Sequence, residues 1–297
     1  MKQKLIKRVC CFALAAVMLV GSSISAFADV KDIEAGTEMI TVGYNHTDAQ
    51  RDKVYGYFGV ERNGTIPETI VTNEDERAYL LDYISESKIG TTSYSSVYIK
   101  VMEEGYGLNL TLHNISWLTE EVYINALTTV GITDAEIVIA SPISVSGTAA
   151  LTGIYMAYEN EMGEELDEDA KNVATEELVT TGELSDEIGS DEAAGIVNEI
   201  KRQADEINDM EDAEATQTIE EIAEANKITL TDEQLAKLLS LARSYDKIDL
   251  SGIQDKLDEI SDKLGTISVD TDGIWNSIKS FFSNIGDWFK GLFGSGD

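Results

Sequence analysis

Short apolar runs alternate with helix-like stripes along the first half of the chain. Residues 39–42 and 69–71 are short, apolar and rich in β-branched side chains, which is typical of buried strands. Between them, Thr47 and Gln50 stand three residues apart in the pattern of a capping box. This pattern predicts a helix that begins after Thr47 and continues to Phe58.

A second helix and a hairpin are predicted next. Asn73 followed by Glu76 has the pattern of a helix N-cap with an acidic third position. Residues 94–102 and 108–115 alternate apolar and polar side chains on either side of a glycine-containing turn. We therefore expect these two runs to be neighbouring strands of one hairpin.

The order of these elements predicts the fold class. Residues 119–131 have the pattern of a helix, residues 136–140 that of a buried strand, and residues 146–162 that of another helix. Alternating strands and helices of this kind indicate a mixed β-sheet with packed helices, an α+β (or α/β) domain over residues 29–162. The next region, residues 163–247, has helical spacing and no strand pattern, and we expect an acidic helical domain there.

The acidity of the chain is concentrated in this helical region. Residues 161–226 contain 23 acidic and 3 basic residues, and apolar side chains recur among them at helical intervals. Thr231 and Gln234 form a second capping-box pattern ahead of a leucine-rich stripe. We expect one of the helices of this domain to begin there.

The C-terminal region, residues 248–297, starts with a heptad-like helix. The apolar positions are separated by three and four residues in turn: Leu250, Ile253, Leu257, Ile260, Leu264 and Ile267. Such a seam is typical of helices that associate through one face, but it covers fewer than the ~3–4 heptads that usually indicate a coiled coil. Two interpretations remain open, self-association through residues 250–267 or packing of one amphipathic helix on its own domain.

A second, aromatic stripe follows at the end of the chain. Its members are Trp275, Ile278, Phe281, Phe282, Ile285, Trp288, Phe289, Leu292 and Phe293. An amphipathic helix with bulky rings on one face and few charges on the other is typical of segments that lie in a membrane interface. We expect this segment to contact a membrane surface, a protein partner or a second copy of the chain.

The N-terminus has the pattern of a secretory signal peptide over residues 1–28. Four basic residues precede an apolar run from Val9 to Val20, and the segment ends in Ala26-Phe27-Ala28. The apolar run is shorter than the ~20 residues that cross a bilayer. The sequence therefore predicts cleavage following Ala28 and a secreted or extracytoplasmic protein of the cell envelope.

Composition excludes several classes of function. The chain has 22 Lys and Arg against 55 Asp and Glu, a net charge of −33, and this balance excludes general nucleic-acid binding. Both cysteines, Cys10 and Cys11, lie in the predicted signal peptide, and the two histidines are His46 and His113. We therefore expect no thiol chemistry, no metal site and no cofactor.

A hydrolase is the alternative to a binding protein. Ser95 and Ser96 lie at the start of the first hairpin strand, and His113 lies near the end of the second. If the hairpin brings them together, a nucleophile and its base are available. No G-x-S-x-G motif supports this, and a polar strand end is the simpler interpretation of His113.

A weak ligand site is predicted at Ser146, Gly147 and Thr148. Small residues after a strand leave free backbone N–H groups at the next helix start, and such groups attract anions. The segment lacks the Gly-Lys-Ser/Thr ending of a P-loop. The competing interpretation is structural, with Ser146 capping the helix.

Six short segments in a fixed order carry a family resemblance. They are Met39-Ile-Thr-Val-Gly43, Val71-Thr-Asn-Glu-Asp-Glu76, Tyr94-Ser-Ser-Val-Tyr98, His113-Asn-Ile-Ser-Trp117, Val145-Ser-Gly-Thr-Ala-Ala-Leu-Thr-Gly153 and Glu176-Glu-Leu-Val-Thr-Thr-Gly-Glu-Leu184. Together they resemble the exported DUF1002 family of Gram-positive bacteria over residues 38–246. The resemblance implies an extracytoplasmic bacterial protein of unassigned activity, and it transfers no catalytic residue. We expect a non-enzymatic binding role.

Overall fold

The structure is a computed structural model that describes residues 33–264, with side chains as far as Ile260. The predicted signal peptide and the aromatic stripe at residues 274–293 lie outside the described residues. The strands are β1 (Glu38–Gly43), β2 (Glu68–Val71), β3 (Ser96–Val101), β4 (Leu108–Ile115) and β5 (Ala135–Val145). The helices are α1 (Asp48–Phe58), α2 (Asn73–Leu80), α3 (Glu86–Ile89), α4 (Glu120–Thr129), α5 (Thr148–Met162), α6 (Glu168–Ile188), α7 (Ser190–Arg202), α8 (Ala204–Asn208), α9 (Asp212–Ala225), α10 (Asp232–Ser244) and α11 (Gln254–Leu264), with 3₁₀ turns at Tyr245–Lys247 and Ser251–Ile253.

The five strands form one mixed sheet in the order β2-β1-β3-β5-β4. The β1–β2 and β4–β5 pairs are parallel, and β3 is antiparallel to both of its neighbours, β1 and β5. Four strands therefore run in one direction and only the central β3 runs against them. The α+β class with a mixed N-terminal sheet is confirmed.

The predicted hairpin of residues 94–102 and 108–115 is wrong, because β5 lies between β3 and β4. Burial explains the choice of neighbours. The side chains of β5 are buried or half-buried from Ala135 to Pro142, whereas β4 alternates with exposed residues such as Thr111. An apolar run that is covered on both faces is stable in the middle of a sheet, and an alternating strand is stable at its edge.

Side chains alternate between the two faces of the sheet, and each face has its own helices. On one face, Ile40, Val42 and Tyr98 pack against α1. On the other face, Val97, Ile99 and Ile137 face α4, α5 and the first half of α6. The sheet thus becomes the middle layer of three.

Helix α5 lies especially close to β1. Gly153 is the point of contact, since a Cβ atom there would stand 2.6 Å from the Thr41 hydroxyl. Only glycine allows this approach, which buries Ile154 and Tyr155 completely. The packing fixes α5 and its first turn against the sheet.

Helix α6 connects the sheet layer with the helical region. Ala170, Ala174 and Leu178 belong to the core of the sheet layer, whereas Val173 and Leu184 belong to the core of helices α7–α11. The predicted boundary between residues 162 and 163 falls in the loop before α6. A single helix therefore contributes to both cores, and the two regions pack on each other directly.

Local capping signals set several helix starts. The capping boxes of Thr47 with Gln50 and of Thr231 with Gln234 are both present. The predicted cap at Asn73 is wrong by one residue, because Thr72 is the N-cap and Asp75 completes its box. Two adjacent polar residues can both cap a helix, and β2 ends at Val71, so that Thr72 is the first residue free to do so.

Candidate functional site

The carboxyl ends of four strands meet at one edge of the sheet, which we call the carboxyl edge. It is formed by the ends of β1, β2, β4 and β5 and by the start of β3. In α/β proteins, ligands bind in the crevice outside such an edge. The structure places Ser95, Ser96, His113 and the Ser146–Thr148 segment there, and so it groups all candidate residues of the described chain.

The serine–histidine pair is not assembled at this edge. Ser96 and His113 both align with Ala140, one on each side of β5. Because neighbouring strands lie ~4.8 Å apart, the two residues are separated by roughly 10 Å across the sheet. A nucleophile and its base need hydrogen-bond contact, about 3 Å.

Each member of that pair has a structural role instead. Ser96 is fully buried, and its hydroxyl accepts the Gly43 N–H at 3.2 Å. Ser95 is 4% exposed. The His113 ring stacks on Tyr57 of α1 at a centroid distance of 4.5 Å. Both Ser96 and His113 are thus engaged in contacts within the fold.

His46 is held by the loop that precedes β3. Its Nε2 atom donates to the Tyr94 carbonyl oxygen at 2.8 Å, and its ring stacks on the Tyr94 ring. Burial lowers the pKa of His46, and the hydrogen bond to Tyr94 opposes this. The neighbouring Asn45 accepts the Ser93 N–H at 2.8 Å. These contacts tie the β1–α1 loop to the segment before β3.

The Ser146–Thr148 segment is hydrogen-bonded to the carboxyl group of Glu76. The Thr148 hydroxyl donates to Oε1 of Glu76 at 2.6 Å, and both residues are at least 98% buried. Glu76 lies on α2 and thus brings a carboxyl group to the N-terminus of α5. The sequence singled out the segment but not its partner, because nothing in the sequence places α2 beside α5.

The predicted cap at Ser146 is wrong, because Gly147 is the N-cap of α5 and makes no side-chain cap. Gly147 has φ +106, and a Cβ atom there would lie 2.5 Å from the Tyr123 hydroxyl. That hydroxyl donates to the Gly147 carbonyl oxygen at 2.7 Å. Only glycine fits this backbone conformation, so the chain turns into α5 at Gly147 instead of at Ser146.

Glu76 is a buried acid with incomplete hydrogen bonding. Its Oε2 atom makes no hydrogen bond of normal geometry within the described chain. Burial raises the pKa of Glu76, while Thr148 and the nearby Asn73 amide lower it, and burial has the larger effect. The protonated form is therefore favoured more than for an ordinary glutamate.

A second buried carboxyl, Glu177 of α6, is fully paired. Lys201 of α7 donates to Glu177 Oε1 at 2.8 Å and to the Asn125 carbonyl oxygen at 2.9 Å, and the Thr129 hydroxyl donates to Glu177 Oε2 at 2.5 Å. Both charged side chains are 0% exposed. Burial lowers the pKa of Lys201, and Glu177 opposes this effect. The cluster joins α4, α6 and α7 where the sheet layer meets the helical region.

The opposite edge of the sheet carries two clefts, one on each side of Lys256 of α11. A cleft of about 160 Å³ includes Leu108, Ile124 and Ile260 among its walls. A larger cleft of about 380 Å³ lies between the β3–β4 turn, the α4–β5 loop and α11. Lys256 donates to Asp134 Oδ1 at 3.2 Å and so connects α11 to the sheet layer.

Asp134 is stabilised as a carboxylate. It accepts hydrogen bonds from the Gly107 N–H, the Thr133 hydroxyl and Lys256. Burial alone raises the pKa of Asp134, but these donors and the positive charge of Lys256 outweigh burial, and the resulting pKa is lowered. The sequence reasoning missed this group, since Asp134 lies in a loop far from Lys256 in the chain.

The described part of the heptad-like seam packs on its own chain. Leu250, Ile253, Leu257 and Ile260 are 0–9% exposed and belong to the core of α7–α11. Side chains beyond Ile260, including Leu264 and Ile267, lie outside the described residues. These four residues of the seam therefore pack within their own chain, as in the second interpretation.

The described chain shows neither a metal-binding cluster nor a membrane-spanning helix. Residues 33–260 hold no group of three or more His, Cys, Asp or Glu side chains close enough to share a metal ion. Over the same part of the protein, no helix combines the length and the apolar character needed to cross a bilayer.

An α+β protein with a polar, internally hydrogen-bonded carboxyl edge is thus the class that the structure defines. The family described as "Protein of unknown function (DUF1002)" matches residues 42–262, and the chain belongs to this family. A relative from Bacillus subtilis (strain 168), described as "Uncharacterized protein YpuA", is 37% identical over 268 residues, which cover 84% of this chain and 91% of the relative. No solved structure matches the chain significantly.

Proposed function

We propose that this protein acts outside the cell as a non-enzymatic binding protein whose C-terminal stripe, residues 274–293, contacts a membrane surface. The observation that carries the proposal is the anchoring of α11. Leu257 is fully buried and Lys256 is bonded to Asp134, so that α11 is held on the folded body. The aromatic stripe begins at Ile274, ten residues after Leu264, the last described residue of α11. An anchored helix followed by an amphipathic segment is suited to tether a body to a surface.

The state of the serine–histidine pair also supports binding over hydrolysis. Ser96 is buried and accepts the Gly43 N–H, and His113 stacks on Tyr57 with β5 between the two residues. Neither side chain has the contact that would activate a nucleophile.

The energetics favour a membrane surface of low charge. Each aromatic ring buried in an interface contributes about 2–3 kcal/mol, and a lysine near an anionic surface contributes only about 1 kcal/mol. The stripe carries Lys279 and Lys290, whereas the whole chain has a net charge of −33. Anionic lipid therefore repels the folded part of the protein more than it attracts residues 274–293. At physiological salt this repulsion acts only over ~8 Å, because salt screens charges at larger distances.

The experiment is a flotation assay with vesicles of phosphatidylcholine alone and with added anionic lipid. We expect the protein to float with both, and less with anionic vesicles at low salt. Changing Trp275, Phe281 and Trp288 to Ser should abolish flotation, whereas changing Asn276, Ser283 and Asn284 of the polar face to Ala should leave it intact. Flotation that survives the aromatic changes contradicts the proposal.

Two other outcomes identify the rival uses of the segment. If the aromatic variant loses a dimer in sedimentation velocity while the unaltered chain ignores vesicles, the stripe serves self-association. If the aromatic variant loses its circular dichroism or melts at a much lower temperature, the stripe belongs to the core of the protein. Both results overturn membrane contact.

Export is tested separately by mass spectrometry of the protein recovered outside producing cells. Cleavage following Ala28 predicts a mature chain that starts at Asp29 and lacks both cysteines. Recovery of the intact chain in the cytoplasm alone contradicts this part of the proposal.

A further inference from the structure

The larger cleft beside Lys256 has the size and position of a small-ligand site. Its volume is about 380 Å³, within the range of roughly 300–1,000 Å³ that is usual for such sites. Its walls come from separate segments of the chain, namely residues 33–35, the β3–β4 turn, the α4–β5 loop, α5 and the region of α11. Because both sequence ends of the described chain contribute, the cleft exists only in the completed fold.

The cleft is strongly negative. Glu34, Glu103, Glu104 and Asp134 line it, with Lys256 as the opposing charge. Asp134 is already occupied by Lys256 and two further hydrogen bonds. The other three are exposed, and none of the ion pairs found among the described residues includes them. The rim therefore carries uncompensated negative charge.

Tyr158 provides a separate indication of a ligand. This residue of α5 is only 1% exposed, yet it lines the cleft together with Asp134, and burial and then the charge of Asp134 raise the pKa of its hydroxyl. None of the hydrogen bonds among residues 33–260 involves the hydroxyl, and its oxygen is not fully enclosed by protein, so it opens onto the cleft that Tyr158 lines. A buried phenol is normally hydrogen-bonded, so a group inside the cleft is the natural partner.

The spacing of the carboxylates selects the kind of cation. In the described chain, no three acidic or histidine side chains are close enough to hold a metal ion. The carboxylates are spread around the rim of the cleft, and the Tyr158 hydroxyl lies at its base. Such acceptors can bind an extended molecule that carries several N–H donors. Ammonium groups donate up to three hydrogen bonds each and are attracted by every carboxylate within a few ångströms.

We propose that this cleft binds a small organic cation with two or more primary ammonium groups, of the linear diamine or polyamine class. One ammonium group contacts Glu103 and Glu104 on the rim, and the second donates to the Tyr158 hydroxyl. The site is independent of the C-terminal stripe, and the two proposals can fail separately.

The test is calorimetric titration of the purified full chain with spermidine in 150 mM salt, which screens the diffuse attraction of a cation to the acidic surface. We expect saturable binding with one site. Glu103→Gln with Glu104→Gln should weaken it at least tenfold, and Tyr158→Phe, which removes one charge-assisted hydrogen bond, about tenfold. The control is Glu220→Gln with Glu224→Gln on α9, two exposed acids far from the cleft, which should change affinity less than twofold.

Several results overturn the proposal. Absence of saturable binding does so, as does an equal loss in the α9 control, which would mean screening by overall charge. Equal competition by Mg²⁺ at the same concentration has the same meaning. If Tyr158→Phe melts too early to be titrated, the rim variant decides, because Glu103 and Glu104 are exposed and their change to Gln leaves the core intact.

Discussion

The two edges of the sheet each hold a carboxyl group, one almost fully buried and one partly buried. Comparing them shows that burial alone does not determine whether the pKa of a carboxyl group is raised or lowered. At the carboxyl edge, Glu76 has a hydroxyl partner and an amide nearby, and its pKa is raised. At the opposite edge, Asp134 has a backbone N–H, a hydroxyl and a lysine, and its pKa is lowered. The number and charge of the donors decide the sign.

The same comparison applies to function. The carboxyl edge, where α/β proteins usually bind ligands, is filled by the chain's own groups. Its loops are joined by Asn45, His46 and Glu76. The opposite edge is open at the cleft beside Lys256. The position of an edge in the fold therefore indicates where ligand sites are common. Whether the polar groups at that edge are already hydrogen-bonded to the protein indicates whether they can still bind a ligand.

The largest expected effect concerns Glu177, a third carboxyl that is completely buried and paired. Lys201→Met should reduce the free energy of unfolding by about 3–5 kcal/mol, because Glu177 is left as an unmatched buried charge. Adding Glu177→Gln should recover much of the loss. Urea denaturation measures both. A loss below 1 kcal/mol for Lys201→Met would contradict a stabilising role of the Lys201–Glu177 ion pair.

Next in size is a pair of glycine substitutions, one at each edge. Gly147→Ala combines positive φ with a Cβ atom 2.5 Å from the Tyr123 hydroxyl, and we expect a loss of about 3 kcal/mol. Gly105→Ala has positive φ but nothing within 4 Å of the new atom, and about 1 kcal/mol is expected. Thermal melts compare them, and equal losses would argue against tight packing at Gly147.

A smaller effect is expected from Asp134→Asn, measured as unfolding free energy against pH. The lowered pKa of Asp134 in the fold means that its contribution is present above the pKa of the unfolded chain and is lost as pH falls through the folded pKa. We expect the variant to be about 1 kcal/mol less stable at pH 7, a value limited by solvent screening, with the difference vanishing in acid. A difference independent of pH would contradict charge as the cause.

The smallest effect, with the opposite sign, is expected from Glu76→Gln. Because burial raises the pKa of Glu76 above the usual range of a glutamate, its protonated form stabilises the fold. That contribution is complete below the unfolded pKa and is lost as pH rises through the folded pKa. Gln mimics the protonated acid, so the variant should match the parent in acid and gain stability relative to the parent towards pH 7, by less than the loss expected for Asp134→Asn. A relative loss at neutral pH would contradict this.

Local signals in the sequence predicted the local parts of the fold. Both capping boxes, at Thr47 and Thr231, depend on residues three apart and were predicted correctly. The hairpin failed because strand pairing depends on burial of β5, which lies twenty residues beyond β4. Ser146 failed as a cap because the contact of Gly147 with Tyr123 is a tertiary one.

The chemistry of the site was less predictable than the fold. The sequence predicted Ser95 or Ser96 beside His113 and a separate Ser146–Thr148 segment, whereas the structure places all of them at the carboxyl edge with β5 between Ser96 and His113. Glu76, Glu177 and Lys201 are charged residues in helical stripes, and such positions are usually solvated. Their burial depends on helices that meet only in the folded chain.

The placement of β5 between β3 and β4 has a consequence for a chain that is still being synthesised. Strands β2, β1 and β3 can join in that order once residue 101 has emerged. Strand β4 has a single neighbour, and that neighbour is completed only at Val145. Until then one edge of β3 is unpaired and β4 is the next strand along the chain. A non-native β3–β4 hairpin can therefore compete with the native pairing, and β5 must displace it.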